Sequence, residues 1–334
     1  MSKIGDTWFF DRDVYISAYA CCVGKKEQEG PLGGLFDLYS LDNRFGEQTW
    51  EKAESRMIQL ACRKAVEKSG LDCAGIGCFL GGDLLNQCIS TSFACRELGW
   101  QTLGLYGACS TMAESLCLGG ALVQSGLEKH TLCCASSHFC SAERQYRFPL
   151  EYGSQRPPTS QWTATAAGAV ILGDAGKVRL RAATVGRVYD PGVRDTNNMG
   201  AAMAQAAYET ISAFLRDSGE SAGDFDLIVT GDLSLVGKAV VEKLLRRDGI
   251  KVAKNYNDCG LMLYNLNTQD VHAGASGCGC SAAVLCARIL PAIEKGELKR
   301  VLFCGTGALL SPISAFQGES IPGICHLALL EGEK

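Results

Sequence analysis

The chain contains two sequence blocks that each occur twice, in the same order. SGLDCAGIGCFLGGDLL begins at Ser69 and SGESAGDFDLIVTGDLSL begins at Ser218. Both blocks predict the end of a helix, a short buried strand and then Gly-Asp-Leu. The second pair is SGLEKHTLCCASS at 125–137 and KGELKRVLFCGTG at 295–307. Two matched blocks in one order indicate an internal duplication, so we predict a fold with two similar halves.

Periodicity in the first half predicts which elements are repeated. Residues 53–69 carry apolar positions at helical spacing and are followed by a short apolar run, GIGCFLGG. Residues 111–125 are again helical and precede the run TLCCASS. Helices that alternate with short buried strands are typical of α/β layers. We expect the halves to be residues 1–175 and 176–334, joined near LGDAGKV.

Composition excludes several classes of protein. The formal net charge is −4 and no cluster of Lys or Arg is present, so nucleic acid is not an expected partner. Charged residues at Asp6, Asp11, Arg12 and Asp13 interrupt the N-terminal segment, which therefore lacks the apolar region of a signal peptide. No run approaches the ~18 apolar residues that a transmembrane helix requires, so we predict no transmembrane segment.

The 18 cysteines predict free thiols in a reducing compartment, because no signal peptide accompanies them. Paired Cys-x₂-Cys knuckles with His at ligand spacing are missing, so we expect no metal and no cofactor. Most of these cysteines are interpreted as small buried hydrophobic side chains.

Cys109 stands apart because GACSTMAESL places it just before a predicted helix. Thr111 and Glu114 have the spacing of a capping box, which predicts that the helix starts there. The free N–H groups and the dipole at a helix start stabilise a thiolate and lower the pKa of a cysteine. Position alone leaves two interpretations open, a reactive nucleophile and a thiol that only lines a cavity.

A duplicated α/β chain with this Gly-Ala-Cys-Ser turn resembles the thiolase-like superfamily, which includes thiolases and β-ketoacyl-acyl-carrier-protein synthases. TAAGAVILGD at 165–174 is similar to the strand that closes the first half of the synthases, and HAGASGCG at 272–279 is similar to a His-containing thiolase loop. The resemblance implies a layered α-β-α-β-α fold with two pseudo-two-fold related halves, and a homodimer.

Three longer stretches resemble the stage V sporulation protein AD family of endospore-forming bacteria, over about residues 5–331. They are residues 135–163, 197–207 and 272–282. This resemblance implies a thiolase-like protein that binds dipicolinic acid (pyridine-2,6-dicarboxylate), alone or as its calcium chelate. It also implies a role in moving dipicolinate into the developing spore with membrane proteins of the same operon. The implied location is the cytoplasm or the periphery of the forespore inner membrane, and no catalytic reaction is implied.

The expected catalytic partners of Cys109 are incomplete. In condensing enzymes the second half supplies two His, or His and Asn, to the cysteine. His272 fits one of these positions by resemblance, but the segment 231–244, where the other is expected, contains no His. Asp232 or Ser234 stands near that place, and neither replaces an imidazole donor. The sequence therefore favours binding over condensation.

The expected ligand site combines residues from several strand ends. Hydroxyl and imidazole groups after the strand TLCCA are placed where α/β sheets bind ligands, and arginines can pair with both carboxylates of a diacid. The glycine-rich segment near 305 resembles the loop that supplies backbone N–H groups beside the cysteine. The predicted ligand-binding residues are Cys109, Ser136, Ser137, His138, Arg144, Arg147, His272, Gly305 and Thr306.

Three hypotheses remain open at this point. The first is a non-catalytic protein that binds dipicolinate, and the second is an active acyltransferase of the ketoacyl-synthase-III type with Cys109 as nucleophile and His272 as its partner. The third is an assembly component that docks on membrane proteins and keeps only a vestigial pocket. The arginine-bearing loop likewise has two interpretations, a carboxylate site and a dimer interface.

Overall fold

The structure is a computed structural model that describes residues 1–146, 155–252 and 254–333. The strands are β1 Ser2–Ile4, β2 Thr7–Phe9, β3 Tyr15–Val23, β4 Leu38–Tyr39, β5 Cys78–Gly82, β6 Thr102–Gly104, β7 Thr131–Ser137, β8 Trp162–Thr163, β9 Ala166–Gly173, β10 Val178–Thr184, β11 Leu227–Thr230, β12 Tyr256–Asp258, β13 Ala275–Ser276, β14 Arg300–Ala308 and β15 Gly323–Gly332. The helices are α1 Lys25–Gln28, α2 Trp50–Ser69, α3 Ile89–Leu98, α4 Thr111–Ser125, α5 Phe139–Tyr146, α6 Met199–Ser218, α7 Ser234–Arg247, α8 Cys259–Met262, α9 Cys278–Val284, α10 Leu290–Glu294 and α11 Pro312–Phe316.

The predicted elements are present, with one shifted boundary. The helix expected over 53–69 begins earlier, at Trp50, because the hydroxyl of Thr49 accepts a hydrogen bond from Lys52 N over 3.4 Å and caps the first turn. The helix predicted over 111–125 has those bounds, and the runs GIGCFLGG and TLCCASS contain β5 and β7.

The main sheet is built from two sets of five strands with the same order. One set runs β3-β9-β7-β5-β6 and the other runs β10-β15-β14-β11-β12. In each set the first two pairings are antiparallel and the last two are parallel. The sets meet where β10 pairs with β3, with Arg179 opposite Tyr15. The sequence repeat is therefore a repeat of sheet topology, and position 175 lies in the turn between β9 and β10.

Helices separate and cover the two sets of strands. α4 packs against strands of both sets, while α9 packs on β9 and β7 and also contacts β14. α2 covers the outer face of the first set, and α6 covers the outer face of the second. The layer order is therefore α-β-α-β-α, which confirms the predicted thiolase-like class.

The central helices are apolar and fit tightly against the strands. Every residue of α9 is buried, and Met112 and Leu116 of α4 are fully buried. A Cβ added to Gly168 of β9 would lie 2.5 Å from the carbonyl oxygen of Ala282 in α9, so only glycine allows this approach. A helix that is apolar on all faces needs partners on all sides, which the two sets of strands provide.

All 18 cysteines are free, and all but Cys73 and Cys140 are buried. This bears out their interpretation as small core side chains. Within the described residues no group of three or more His, Cys, Asp or Glu side chains is placed to hold a metal ion. Of the helices in the described ranges, none combines the length and the apolar character needed to cross a membrane.

Candidate functional site

Cys109 lies in a tight 3₁₀ turn, Ala108–Ser110, that leads directly into α4. Ala108 is held at φ 50°, in the left-handed region that residues with a Cβ seldom adopt. Strand β14 packs closely on this turn, since a Cβ at Gly307 would lie 2.3 Å from the carbonyl oxygen of Gly107. The strained turn and the glycine beside it fix the Cys109 thiol at the junction of the two halves, where its side chain is buried.

The predicted capping box does not form. The hydroxyl of Thr111 donates to the carbonyl oxygen of Ala108 over 2.7 Å, and the N-cap of α4 is Ser110, with no side-chain cap. Ser110 Oγ instead donates to the carbonyl oxygen of Gly107 over 2.7 Å. The capping prediction is wrong because both hydroxyls stabilise the 3₁₀ turn that precedes the helix.

A buried carboxyl group, that of Asp232, lies behind the thiol. Its Oδ1 accepts from Thr306 Oγ1 over 2.8 Å, and its Oδ2 accepts from Gly277 N over 2.9 Å and from Ser276 Oγ over 3.2 Å. The thiol of Cys109 completes this set of donors. Burial raises the pKa of Asp232 to about 7, although the hydrogen bonds from Cys109 and Thr306 act in the opposite direction.

The environment of Cys109 does not favour the thiolate. Burial and, after it, the nearby Asp232 carboxyl raise the pKa of Cys109 well above its ordinary value, and only a hydrogen bond from the Gly277 backbone works against them. The expectation that the helix start lowers this pKa is therefore wrong. Desolvation and a neighbouring negative charge outweigh the helix dipole.

The histidines are engaged elsewhere. His272 Nε2 lies 3.3 Å from Asp270 Oδ1, and Asp270 is largely exposed. His130 Nδ1 lies 3.3 Å from the carbonyl oxygen of Gly75. His326 Nδ1 accepts from Gly186 N over 3.2 Å, and burial lowers the pKa of His326 to about 4.

The positions of the histidines concern the predicted catalytic pair of Cys109 and His272. The chain has four histidines, and the remaining one is His138, whose Nε2 lies 2.7 Å from the carbonyl oxygen of Asn43. The groups that influence the Cys109 thiol are Asp232, Cys278 and the Gly277 backbone. No imidazole is among them, and His272 contacts Asp270, so the partnership of Cys109 with His272 stays a prediction.

A cavity of about 120 Å³ opens beside Cys109. Its wall includes Tyr106, Gln161, Asn197 and Ser276, together with apolar residues such as Leu310. Among the described residues of the wall, Glu143 is the only one of ionisable acid or base type other than Cys109 and tyrosines. The wall therefore combines polar, aromatic and apolar side chains, and its described part contains no Lys, Arg or His.

Two tyrosines close one side of this cavity. Tyr106 follows β6 and Tyr146 ends α5, and their hydroxyl oxygens are 2.7 Å apart. The Tyr146 hydroxyl also donates to the carbonyl oxygen of Leu84. The aromatic rings are thus fixed through their hydroxyl groups, which holds flat surfaces at the edge of the site.

The serines predicted to bind ligand belong to a buried network below the cavity. Ser136 Oγ donates to Glu54 Oε1 over 2.9 Å, and Ser141 Oγ donates to Glu54 Oε2 over 3.0 Å. Ser137 Oγ donates to the carbonyl oxygen of Ala164 over 2.7 Å. Burial and the nearby Asp83 raise the pKa of Glu54 to about 8. The described wall of the cavity does not include Ser136, Ser137 or His138.

The remaining predicted residues have different locations. Arg144 pairs with Glu51 and is about half exposed, away from the described wall of the cavity, while Arg147 lies outside the described residues. Gly305 packs against α4, since a Cβ there would lie 2.7 Å from Ala113 Cβ. Thr306 bonds to Asp232, so it supports the site from behind. Both residues lie within strand β14, which continues to Ala308 without a separate loop.

The structure adds residues that sequence reasoning missed. Gln161 joins the two halves, because its Nε2 donates to the carbonyl oxygens of Asp232 and Ala275, over 2.5 and 2.9 Å. Tyr106, Thr163 and Asn197 also line the cavity. The repeated Gly-Asp-Leu phrase was the available signal for Asp232, whereas no local pattern singles out Gln161.

The chain matches the family model described as Stage V sporulation protein AD (SpoVAD) over residues 5–331. Stage V sporulation protein AD of Bacillus subtilis strain 168 is 41% identical over 326 residues, which are 97% of this chain and 96% of that protein.

Solved structures share the fold at low identity. 3-Oxoacyl-[acyl-carrier-protein] synthase III from Aquifex aeolicus VF5 aligns with a TM-score of 0.56 and 13% identity, covering 95% of this chain and 99% of that chain. Cerulenin-bound OleA from Xanthomonas campestris aligns with a TM-score of 0.61 and 17% identity, covering 97% and 100%. At these identities the likeness establishes the fold alone.

Proposed function

The chain belongs to the stage V sporulation protein AD family, and from this premise we propose that its cavity at Cys109 binds dipicolinic acid and carries out no acyl transfer. The observation that carries the proposal is the buried carboxyl group of Asp232 beside the Cys109 thiol, in the segment where a condensing enzyme is expected to supply an imidazole. Asp232 accepts a hydrogen bond from Cys109 and raises the pKa of the thiol, so the nucleophile is held in its protonated form. A thioester carbanion in this position would face a carboxyl group instead of a neutral donor.

The size and surface of the cavity support a compact aromatic ligand. Its volume is about 120 Å³, and Tyr106 and Tyr146 present flat rings at its edge. The wall contains the hydroxyl group of Thr163 and the amide group of Asn197, which are of the types that hydrogen-bond to carboxylate oxygens. Arg147, which follows Tyr146 in the chain, remains the predicted partner for one carboxylate.

In the cell, we propose that the protein supports uptake of dipicolinate, alone or as its calcium chelate, into the developing spore. It would act as a homodimer with membrane proteins of the same transport complex, in the cytoplasm or at the surface of the forespore inner membrane. This role follows from the family and from the proposed ligand.

Ketoacyl-synthase-III-like acyl transfer by Cys109 is the second candidate. The observation in its favour is the position of the thiol, in a 3₁₀ turn with Ala108 at φ 50°, directly before a helix. Incubation with acyl-CoA followed by intact-protein mass spectrometry tests it. A stoichiometric adduct that is lost in Cys109→Ala would establish the enzyme and refute the binding-only function.

Calorimetric titration with dipicolinate, with and without calcium, tests the first proposal. We expect saturable binding that weakens about fivefold in Tyr106→Phe, as for the loss of one hydrogen bond of about 1 kcal/mol. Tyr39→Phe is the matched control. Tyr39 is exposed on β4, so this variant should bind dipicolinate as the wild type does. Absence of saturable heat at millimolar ligand in both conditions would refute the proposal.

A further inference from the structure

The carboxyl group of Asp232 lies behind the floor of the cavity without a countercharge. Titratable groups face it from every element packed around it: Cys109 from the 3₁₀ turn, Asp258 and Cys259 at the start of α8, Cys278 and Cys280 from α9, and Cys325 from β15. Among these described neighbours there is no Lys, Arg or His. An ionised Asp232 is therefore compensated only by hydrogen bonds.

The ligand itself supplies a second acidic group. The described part of the cavity wall beside Cys109 has no Lys, Arg or His. An anionic ligand that enters would place more negative charge near Asp232, whose carboxyl group is fully buried. Like charges that share a site of low polarity disfavour full ionisation of both groups.

Gln161 provides a separate observation, a buried acceptor in the site that lacks a hydrogen-bond donor. Its Nε2 donates to two backbone carbonyl oxygens, those of Asp232 and Ala275, which fixes the orientation of the amide. Its Oε1 is buried and has no hydrogen-bond partner, and Gln161 is part of the cavity wall. A buried carbonyl oxygen without a donor is unfavourable, and an O–H group that reached it through a small shift of the side chain would remove that cost.

From this arrangement we infer that Asp232 determines the charge form in which the cavity takes its ligand: a diacid binds together with one proton from solvent. The proton resides on the Asp232 carboxyl or on the ligand carboxylate, where it removes the repulsion between them. The inference rests on the proposed function and concerns the regulation of that same site.

The expected dependence on pH follows from linkage. In the free protein the pKa of Asp232 is about 7, and an anionic ligand raises it further. Binding therefore takes up close to one proton at pH 8, where free Asp232 is mostly ionised, and close to none at pH 6, where the proton is already present. Affinity is level below about pH 7 and falls up to tenfold per pH unit above it.

The test is calorimetric titration of dipicolinate in two buffers of different ionisation enthalpy, at pH 6 and pH 8, with a chelator present to remove divalent cations. The difference in heat between buffers gives the number of protons bound. We expect an uptake of about one proton per bound ligand at pH 8 and close to none at pH 6. Saturable binding with no proton uptake at pH 8 overturns the inference but leaves the proposed function intact, whereas absence of binding at both pH values, with chelator and again with added calcium in place of the chelator, overturns the proposed function.

Two variants test whether Asp232 is the group responsible for the proton uptake. Asp232→Asn should abolish the uptake at pH 8 and make affinity independent of pH, while Asp13→Asn, a change at an exposed carboxylate paired with Arg179, should keep the wild-type uptake. Unchanged uptake in Asp232→Asn overturns the assignment to this residue. Should that variant fail to fold, the change in proton number of the wild type between pH 6 and pH 8 decides, since a constant number contradicts a group that titrates near 7.

Discussion

Asp232 and Thr306 hold each other through two hydrogen bonds that share one hydroxyl group. Asp232 N donates to Thr306 Oγ1 over 3.0 Å, and Thr306 Oγ1 donates to Asp232 Oδ1 over 2.8 Å. One residue follows β11 and the other lies in β14, so the pair links neighbouring strands at the point where the thiol of Cys109 approaches. The position of the carboxyl group thus depends on a strand residue that does not touch the cavity.

Thr306→Val tests the importance of this link. Loss of the hydroxyl leaves a buried donor and a buried carboxylate oxygen without their partner, so we expect unfolding free energy to fall by about 1–3 kcal/mol. Thr306→Ser keeps the hydroxyl and should recover most of the loss. Urea unfolding followed by circular dichroism measures both variants. Equal stability of the valine variant and the wild type would show that the pair contributes little.

Cys109 should react slowly with alkylating agents. Burial and the Asp232 carboxyl raise the pKa of its thiol, whereas Cys73 is exposed. Because the thiolate is the reactive form, iodoacetamide at pH 7.5 should label Cys73 first and leave Cys109 largely unmodified. Peptide mass spectrometry over time measures this order. Asp232→Asn removes the negative charge and should speed labelling of Cys109, and a rapid reaction of Cys109 in the wild type would contradict the structure.

Ser136→Ala should lower stability and spare the affinity for the ligand. Ser136 donates to buried Glu54, and the described cavity wall does not include it. We expect a loss of about 1–3 kcal/mol in unfolding free energy and unchanged binding of dipicolinate. Ser17→Ala is the control, because Ser17 donates to a backbone carbonyl at an exposed position and should change stability little. Lost affinity in a folded Ser136→Ala protein would restore this serine to the site.

Glu54 should make the protein less stable at alkaline pH. Burial and Asp83 raise its pKa from 4.5 to about 8. For a raised carboxyl pKa, stability is fully present below the unfolded value and is lost as pH rises through the folded value. Between pH 6 and pH 9 the loss is on the order of 2 kcal/mol for such a group. Glu54→Gln keeps one acceptor oxygen for a serine, and its NH₂ group can donate to the hydroxyl oxygen of the other. Because the amide does not ionise, this variant should lose less over this range in urea unfolding; an equal loss would assign the effect to another group.

Sequence patterns predicted the fold better than the site. The repeat and the periodicity of residues 53–69 and 111–125 report local preferences that the tertiary structure keeps. The capping box failed because Thr111 had a nearer acceptor in the 3₁₀ turn, the carbonyl oxygen of Ala108. The polarity of Ser136 and Ser137 suggested a ligand, but buried Glu54 and a backbone carbonyl use their hydroxyl groups instead.

The residues that line the cavity were harder to foresee because they depend on which strands and loops meet. Gln161 bonds to the main chain of Asp232, which is far away in sequence, and neither residue type nor spacing predicts that encounter. In the sequence, Asp232 lies near the place of a missing histidine and within the repeated Gly-Asp-Leu phrase, and neither feature predicts that it contacts Cys109. Its effect on Cys109 depends on burial, which becomes known only when both halves are packed together.

Because α4 and α9 are buried between the two sets of strands, we expect that neither half forms a stable fold with a complete site by itself. A fragment ending in the turn between β9 and β10 would expose the apolar surface of α4 that packs on β14 and β15, and it would hold Cys109 without Asp232. Residues from both halves are therefore needed to form the cavity. A substitution in one half changes the surroundings of residues contributed by the other, so after duplication the two copies had to diverge as a pair.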